Sequence, residues 1–151
     1  LRKGDSMNEN NELLTYIYQV ASMGVKSTTT LINTIKNTNN KIKKIVEDEL
    51  KEYESFLKES KKLLKKNKIV PKDKCFMVEI MSKMGIKMEM LKDNSDPSIA
   101  EMLIQGFTMG VVEMEHKIDR YKENTDRSII KLAKHLLKFQ QESIELLKPY
   151  L

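Results

Sequence analysis

The chain has one cysteine, Cys75, no tryptophan, three prolines and five glycines in 151 residues. A single thiol excludes an internal disulfide framework and fits a reducing compartment. So few Gly and Pro residues exclude a fold built from many tight turns, because these two residues supply most of the unusual backbone that turns require. No run approaches the roughly 18 consecutive apolar residues of a membrane-spanning helix, and the N-terminal stretch lacks the apolar core of a secretory signal. The expectation is a cytoplasmic protein without a membrane span. A Gly-rich phosphate loop, a Cys-x-x-Cys pair and a strand-turn-helix nucleophile site are all missing, and only two histidines could act as near-neutral bases. Hydrolytic and redox catalysis find no motif, and the reading leans away from an enzyme.

What is present suits helices. Apolar residues make up 40% of the chain and charged residues 32%, enough for one core with a solvated exterior. A single domain is expected over residues 7–151, with Leu1 to Ser6, ahead of Met7, set aside as tag or upstream sequence. The formal charge of +5 raises the question of nucleic acid. The densest basic stretch, Lys61, Lys62, Lys65, Lys66 and Lys68, ends a predicted helix, where cations complement the negative pole of the helix dipole. No nucleic-acid partner is expected from it.

Apolar spacing of three and four predicts a first helix over about 8–37, with Leu14, Ile17, Ala21, Gly24, Thr28, Leu31 and Ile35 on one stripe. Asn37 to Asn40 supply turn and capping chemistry. A second stripe follows in Ile42, Val46, Leu50, Tyr53, Leu57, Ser60 and Leu64, and the short turn makes the two helices antiparallel neighbours. Pro71 breaks the pattern, and a shorter crossover helix is expected over about 72–91. Ser95 or Asp96, with Pro97 in the first turn, starts a third long helix reaching about Glu123, and Asn124-Thr125-Asp126 starts the last, ending near Tyr150. Leu14, Ile17, Leu31, Leu50, Leu57, Leu103, Leu137 and Ile144 are the expected core.

The two halves are alike. Ser22-Met23-Gly24-Val25 matches Thr108-Met109-Gly110-Val111, and Asn37-Thr38-Asn39 matches Asn124-Thr125-Asp126. A mid-helix glycine costs about 1 kcal/mol against alanine. Gly24 and Gly110 are therefore expected to permit close approach, each toward the other hairpin.

A hairpin, a crossover and a second hairpin resemble the ferritin-like superfamily, in particular its uncharacterised and spore-coat-type members. The resemblance implies an all-α, antiparallel four-helix bundle. In metal-binding members, two helices each give a Glu and two others each give Glu-x-x-His, all facing inward. Here the one such motif, Glu113 and His116, falls on the third helix instead of the second or fourth. The first helix offers Lys26-Ser27-Thr28-Thr29 where a carboxylate is needed, so the metal ligands read as largely lost and no cofactor is expected. A solvated polar face accounts for Glu113, Glu115 and His116, while the metal alternative would combine Glu113 and His116 with Glu49 and Glu52. Tyr53 and Gln140 are expected to hydrogen-bond across the core.

Met77, Met81, Met84 and Met88 form a helical stripe on the crossover. Methionine fills irregular grooves, and the same face could take a partner or ligand. The leading expectation is a non-catalytic bundle acting through protein contacts or self-assembly, with Tyr16, Tyr18 and Phe107 as apolar surplus. The alternatives are a ferritin-like metal oxidoreductase or storage bundle, and a binder of a small apolar molecule beside Ala21, Gly24, Gly106 and Gly110.

Overall fold

The computed structural model describes residues 3–71 and 93–151, with side chains from residue 9 onward. Among these residues the chain is helical and has no strand. Helix α1 spans Lys3–Ile35, α2 Lys43–Lys66, α3 Asp96–Tyr121 and α4 Arg127–Leu147, and a 3-10 turn follows at Lys148–Tyr150. The expected crossover helix, with Cys75 and the Met77, Met81, Met84 and Met88 stripe, lies outside the described residues. No helix among the described residues is long and apolar enough to cross a membrane.

Local chemistry sets the helix ends. Ser95 caps α3, its hydroxyl accepting from Ser98 N at 3.4 Å, with Pro97 in the first turn where no amide is needed. At the end of α2, Ile69 N donates to Leu64 O at 2.9 Å and Lys68 N to Lys65 O at 3.2 Å, with Lys68 at φ 54°. These two bonds make a Schellman close, with lysine where glycine is usual. The start of α2 departs from expectation, since no side chain of the Asn37 to Asn40 segment caps it. The turn just ahead of it is held from the far half of the chain: Asp96 accepts from Lys41 N at 3.0 Å and Ile42 N at 3.4 Å, and Asn40 Nδ2 adds a bond to the same carboxylate at 2.9 Å. In return, Asn10 Oδ1 on α1 accepts from Asp126 N at 2.9 Å, next to the start of α4.

The most extensive packing joins α1 to α2 and α3 to α4. Buried side chains form two clusters. One takes the first half of α1, the second half of α2, the second half of α3 and the first half of α4, from Leu13 and Ile17 to Leu64, Met114, Ile129 and Leu136. The other takes the opposite halves, including Leu31, Ile35, Ile42, Val46, Ile99, Phe107 and Leu147. The expected α1 stripe is buried along its whole length. On α2 the expected line holds at Ile42, Val46, Tyr53, Ser60 and Leu64 and shifts by one residue elsewhere, as the expected leucine and isoleucine of α4 do: Leu50, Leu57, Leu137 and Ile144 are half-buried, while Glu49, Phe56, Leu136 and Ser143 are buried. The leucines flank a seam through Ile42, Val46, Glu49, Tyr53, Phe56, Ser60 and Leu64, which is as regularly spaced as the expected line. Tyr16 and Phe107 also belong to the core instead of forming apolar surplus, and Tyr18 is half-buried against it.

Burial repeats between the halves. The spacing that takes Gly24 to Gly110 also takes Leu13 to Ile99, Leu14 to Ala100, Tyr16 to Met102, Ile17 to Leu103, Ala21 to Phe107, Thr28 to Met114 and Ile35 to Tyr121. Both members of each of these further pairs are buried. The spacing that takes Tyr53 to Gln140 does the same for Ile42 and Ile129, Val46 and Ala133, Glu49 and Leu136, Phe56 and Ser143, and Ser60 and Leu147.

Candidate functional site

Between the two clusters the interior changes character. Tyr53, Phe56, Phe107 and Phe139 form an aromatic group in which Phe139 meets Tyr53, Phe56 and Phe107 at centroid distances of 5.1, 5.6 and 5.7 Å. Tyr53 also lies parallel to Phe107 at 6.2 Å. Each glycine allows this layer to close. A Cβ on Gly24 would overlap the Tyr53 ring, and one on Gly110 would lie 2.5 Å from Gln140 Nε2. The glycines thus face their own hairpin partners, not the opposite hairpin, because the bulky group opposite each one sits on the neighbouring helix. The position that a Cβ would take at Gly24 and at Gly110 is occupied by these side chains.

The polar members of the layer are Thr28, Glu49, Gln140 and Ser143, all buried. Glu49 is only 4% exposed, and neither carboxyl oxygen has a hydrogen-bond partner among the described residues. Burial pushes its carboxyl up to about 8, so the neutral acid prevails at pH 7. One helical turn on, burial and then the Glu49 carboxylate raise the Tyr53 phenol. Gln140 Oε1 is buried without a partner, so the expected bond to Tyr53 is not formed. Tyr53 packs on Gly24 and the two phenylalanines instead.

The sequence-level metal candidates do not gather at this layer. Glu52 and His116 are exposed, and Glu113 is half-buried beside Lys117, with the ammonium 3.7 Å from its carboxylate. Lys117 also sits over the Tyr16 ring at 5.0 Å, and the Tyr16 phenol is raised by burial first and by Glu113 second. Only Glu49 of the four lies in the core. Among the described residues no group of three His, Cys, Asp or Glu side chains is placed to hold a metal ion. The layer therefore offers one neutral carboxyl, a raised phenol and a free amide oxygen: hydrogen-bonding groups, but no converging set of anionic ligands. Sequence reasoning missed Glu49 as a core group, because a carboxylate beside Leu50 reads as the solvent side; the one signal was Phe56 on the same line.

The outer surface divides by helix. On α2, Lys and Glu occupy nearly every exposed position. Between Glu12 and Lys36, Lys26 is the one charged residue of α1, and between Asp96 and Glu113, Glu101 is the one charged residue of α3. The exposed residues there are Thr29, Thr30, Asn33 and Thr34 on α1 and Gln105, Thr108, Met109 and Val112 on α3. No family model matches the chain, and no curated protein or solved structure matches it.

Proposed function

We propose that the chain is a ferritin-like bundle of two antiparallel, duplicated hairpins that is not an enzyme and acts through contacts with a second copy of itself. Duplication is supported by the repeated burial pattern and by the cross-half hydrogen bonds of Asp96 and Asn10, since the spacing from Gly24 to Gly110 also takes Asn10 to Asp96. Antiparallel pairing is supported by the Gly24–Tyr53 and Gly110–Gln140 approaches: counting outward from them brings Ile35 level with Ile42 and Tyr121 level with Ile129, beside the two connections. The residues present do not fit the metal pair that the resemblance implies. Tyr53 and Gln140 fill the layer, Glu113 is drawn to Lys117, and Glu52 and His116 face outward.

The observation that carries the contact reading is the uncharged outer face of α3, where Met109 is 56% and Val112 51% exposed one turn apart. Thr108 on this face donates its hydroxyl to Ile104 O at 2.7 Å, as Thr30 and Thr34 on α1 donate to Lys26 O and Thr30 O at 3.0 and 2.9 Å. These donors are spent inside their own helices, so the faces bind water less strongly than a typical exterior. A face without charge meets a copy of itself without like-charge repulsion, as a two-fold dimer requires. Sedimentation equilibrium is expected to give a dimer, and Met109→Lys with Val112→Lys a monomer of unchanged helix content. A monomer at all concentrations would remove the self-association reading, and stoichiometric iron or manganese in untagged protein would restore the metal one.

A further inference from the structure

A recess of about 480 Å³ lies where α3 ends and α4 begins. Its walls carry Lys122, Arg127, Lys131, Lys134 and His135, together with Thr125 and Ile130. Lys122 is paired with Asp119 at 3.1 Å. Among the described residues, Arg127, Lys131 and Lys134 have no carboxylate partner. They stand four and three residues apart, so they share one face of α4.

Their position along the helix is what makes them unusual. The N-terminal end of a helix carries partial positive charge, and acidic residues are favoured there. α4 has no acidic residue in its first turn, and Asp126 at its N-cap makes no side-chain cap bond. Arg127 is its first residue and Lys131 follows one turn later. Cations here oppose the dipole, in contrast to Lys65 and Lys66, which complement the end of α2. Cations without carboxylate partners thus border one recess from the first turn of α4 onward, and a bound anion would relieve their mutual repulsion.

We propose that this recess binds a compact multivalent anion, a small molecule carrying a diphosphate group. Its volume falls within the range of small-molecule sites. The row from Arg127 to Lys134 spans about 10 Å of helix, the reach of one small multivalent anion and too short to follow many successive phosphates of a nucleic-acid strand.

The test is calorimetric titration with inorganic pyrophosphate at low salt, repeated with a short DNA duplex. Two paired variants are compared: Lys131→Gln with Lys134→Gln in the recess, and Lys61→Gln with Lys62→Gln on α2, both checked for unchanged helix content. The expected result is saturable pyrophosphate binding, weakened about tenfold or more by the recess pair and less than about twofold by the α2 pair. An absence of binding at millimolar pyrophosphate, or equal weakening by both pairs, would overturn the proposal. So would tighter binding of the duplex that pyrophosphate fails to displace.

Discussion

Replacing Glu49 by glutamine keeps the shape of the side chain and removes its proton equilibrium. In the unfolded chain the carboxyl titrates at its ordinary value of 4.5, and in the folded chain at about 8. Because the folded value is raised, the folded state holds a proton that the unfolded state has released everywhere between these two values. Stability must then fall as pH rises through that window, by about 1.4 kcal/mol per pH unit, and level off above pH 8. At pH 7 the protonation cost amounts to about 3 kcal/mol, and above pH 8 to about 4 or 5 kcal/mol. Against a total stability of about 5–15 kcal/mol for an ordinary domain, this is a large fraction. Urea unfolding followed by circular dichroism at pH 4.5, 6, 7 and 8.5 measures it as the difference between Glu49→Gln and the parent. The other titrating groups are common to both proteins and cancel. The variant should match the parent to within about 1 kcal/mol at pH 4.5 and exceed it by about 3 kcal/mol at pH 7. A difference that stays flat with pH would refute the argument, because it would mean that Glu49 reaches solvent or a partner in the folded protein.

Two further perturbations probe the same layer and the register. Gly24→Ala should cost about 1–2 kcal/mol in denaturant, since overpacking the Tyr53 ring outweighs the gain in helix propensity; Gly110→Ala should cost less, because the amide end of Gln140 can swing away. Leu136→Ala should cost about 2–5 kcal/mol and Leu137→Ala less than half as much, measured by the same unfolding curves. An equal loss at the two leucines would return the inward line of α4 to the other register.

Helix existence was legible in the sequence because apolar spacing of three and four leaves little other reading for chains poor in Gly and Pro. The α1 stripe was legible for a further reason: the neighbouring line Leu13, Tyr16 and Val20 is apolar and buried as well, so either choice pointed to the same inward side. On α2 and α4 the spacing allows two adjacent lines, and hydrophobicity alone favours Leu50 over Glu49 and Ile144 over Ser143. Tertiary packing decided otherwise, because the aromatic group needs Tyr53 and Phe56 on one face. The recess at the start of α4 was illegible for a different reason. Its residues come from the end of one helix, a connection and the start of another, and no periodicity links them.

The Asp96 carboxylate, met above, also determines how the two halves depend on each other. It rests on α3 yet holds the turn that leads into α2, and Asn10 on α1 does the same for the turn that leads into α4. Each pair of helices, α1 with α2 and α3 with α4, thus supplies hydrogen-bond acceptors to the connection inside the other pair. Because these bonds run between the two pairs, separating one pair from the other releases the turns ahead of α2 and α4 at the same time.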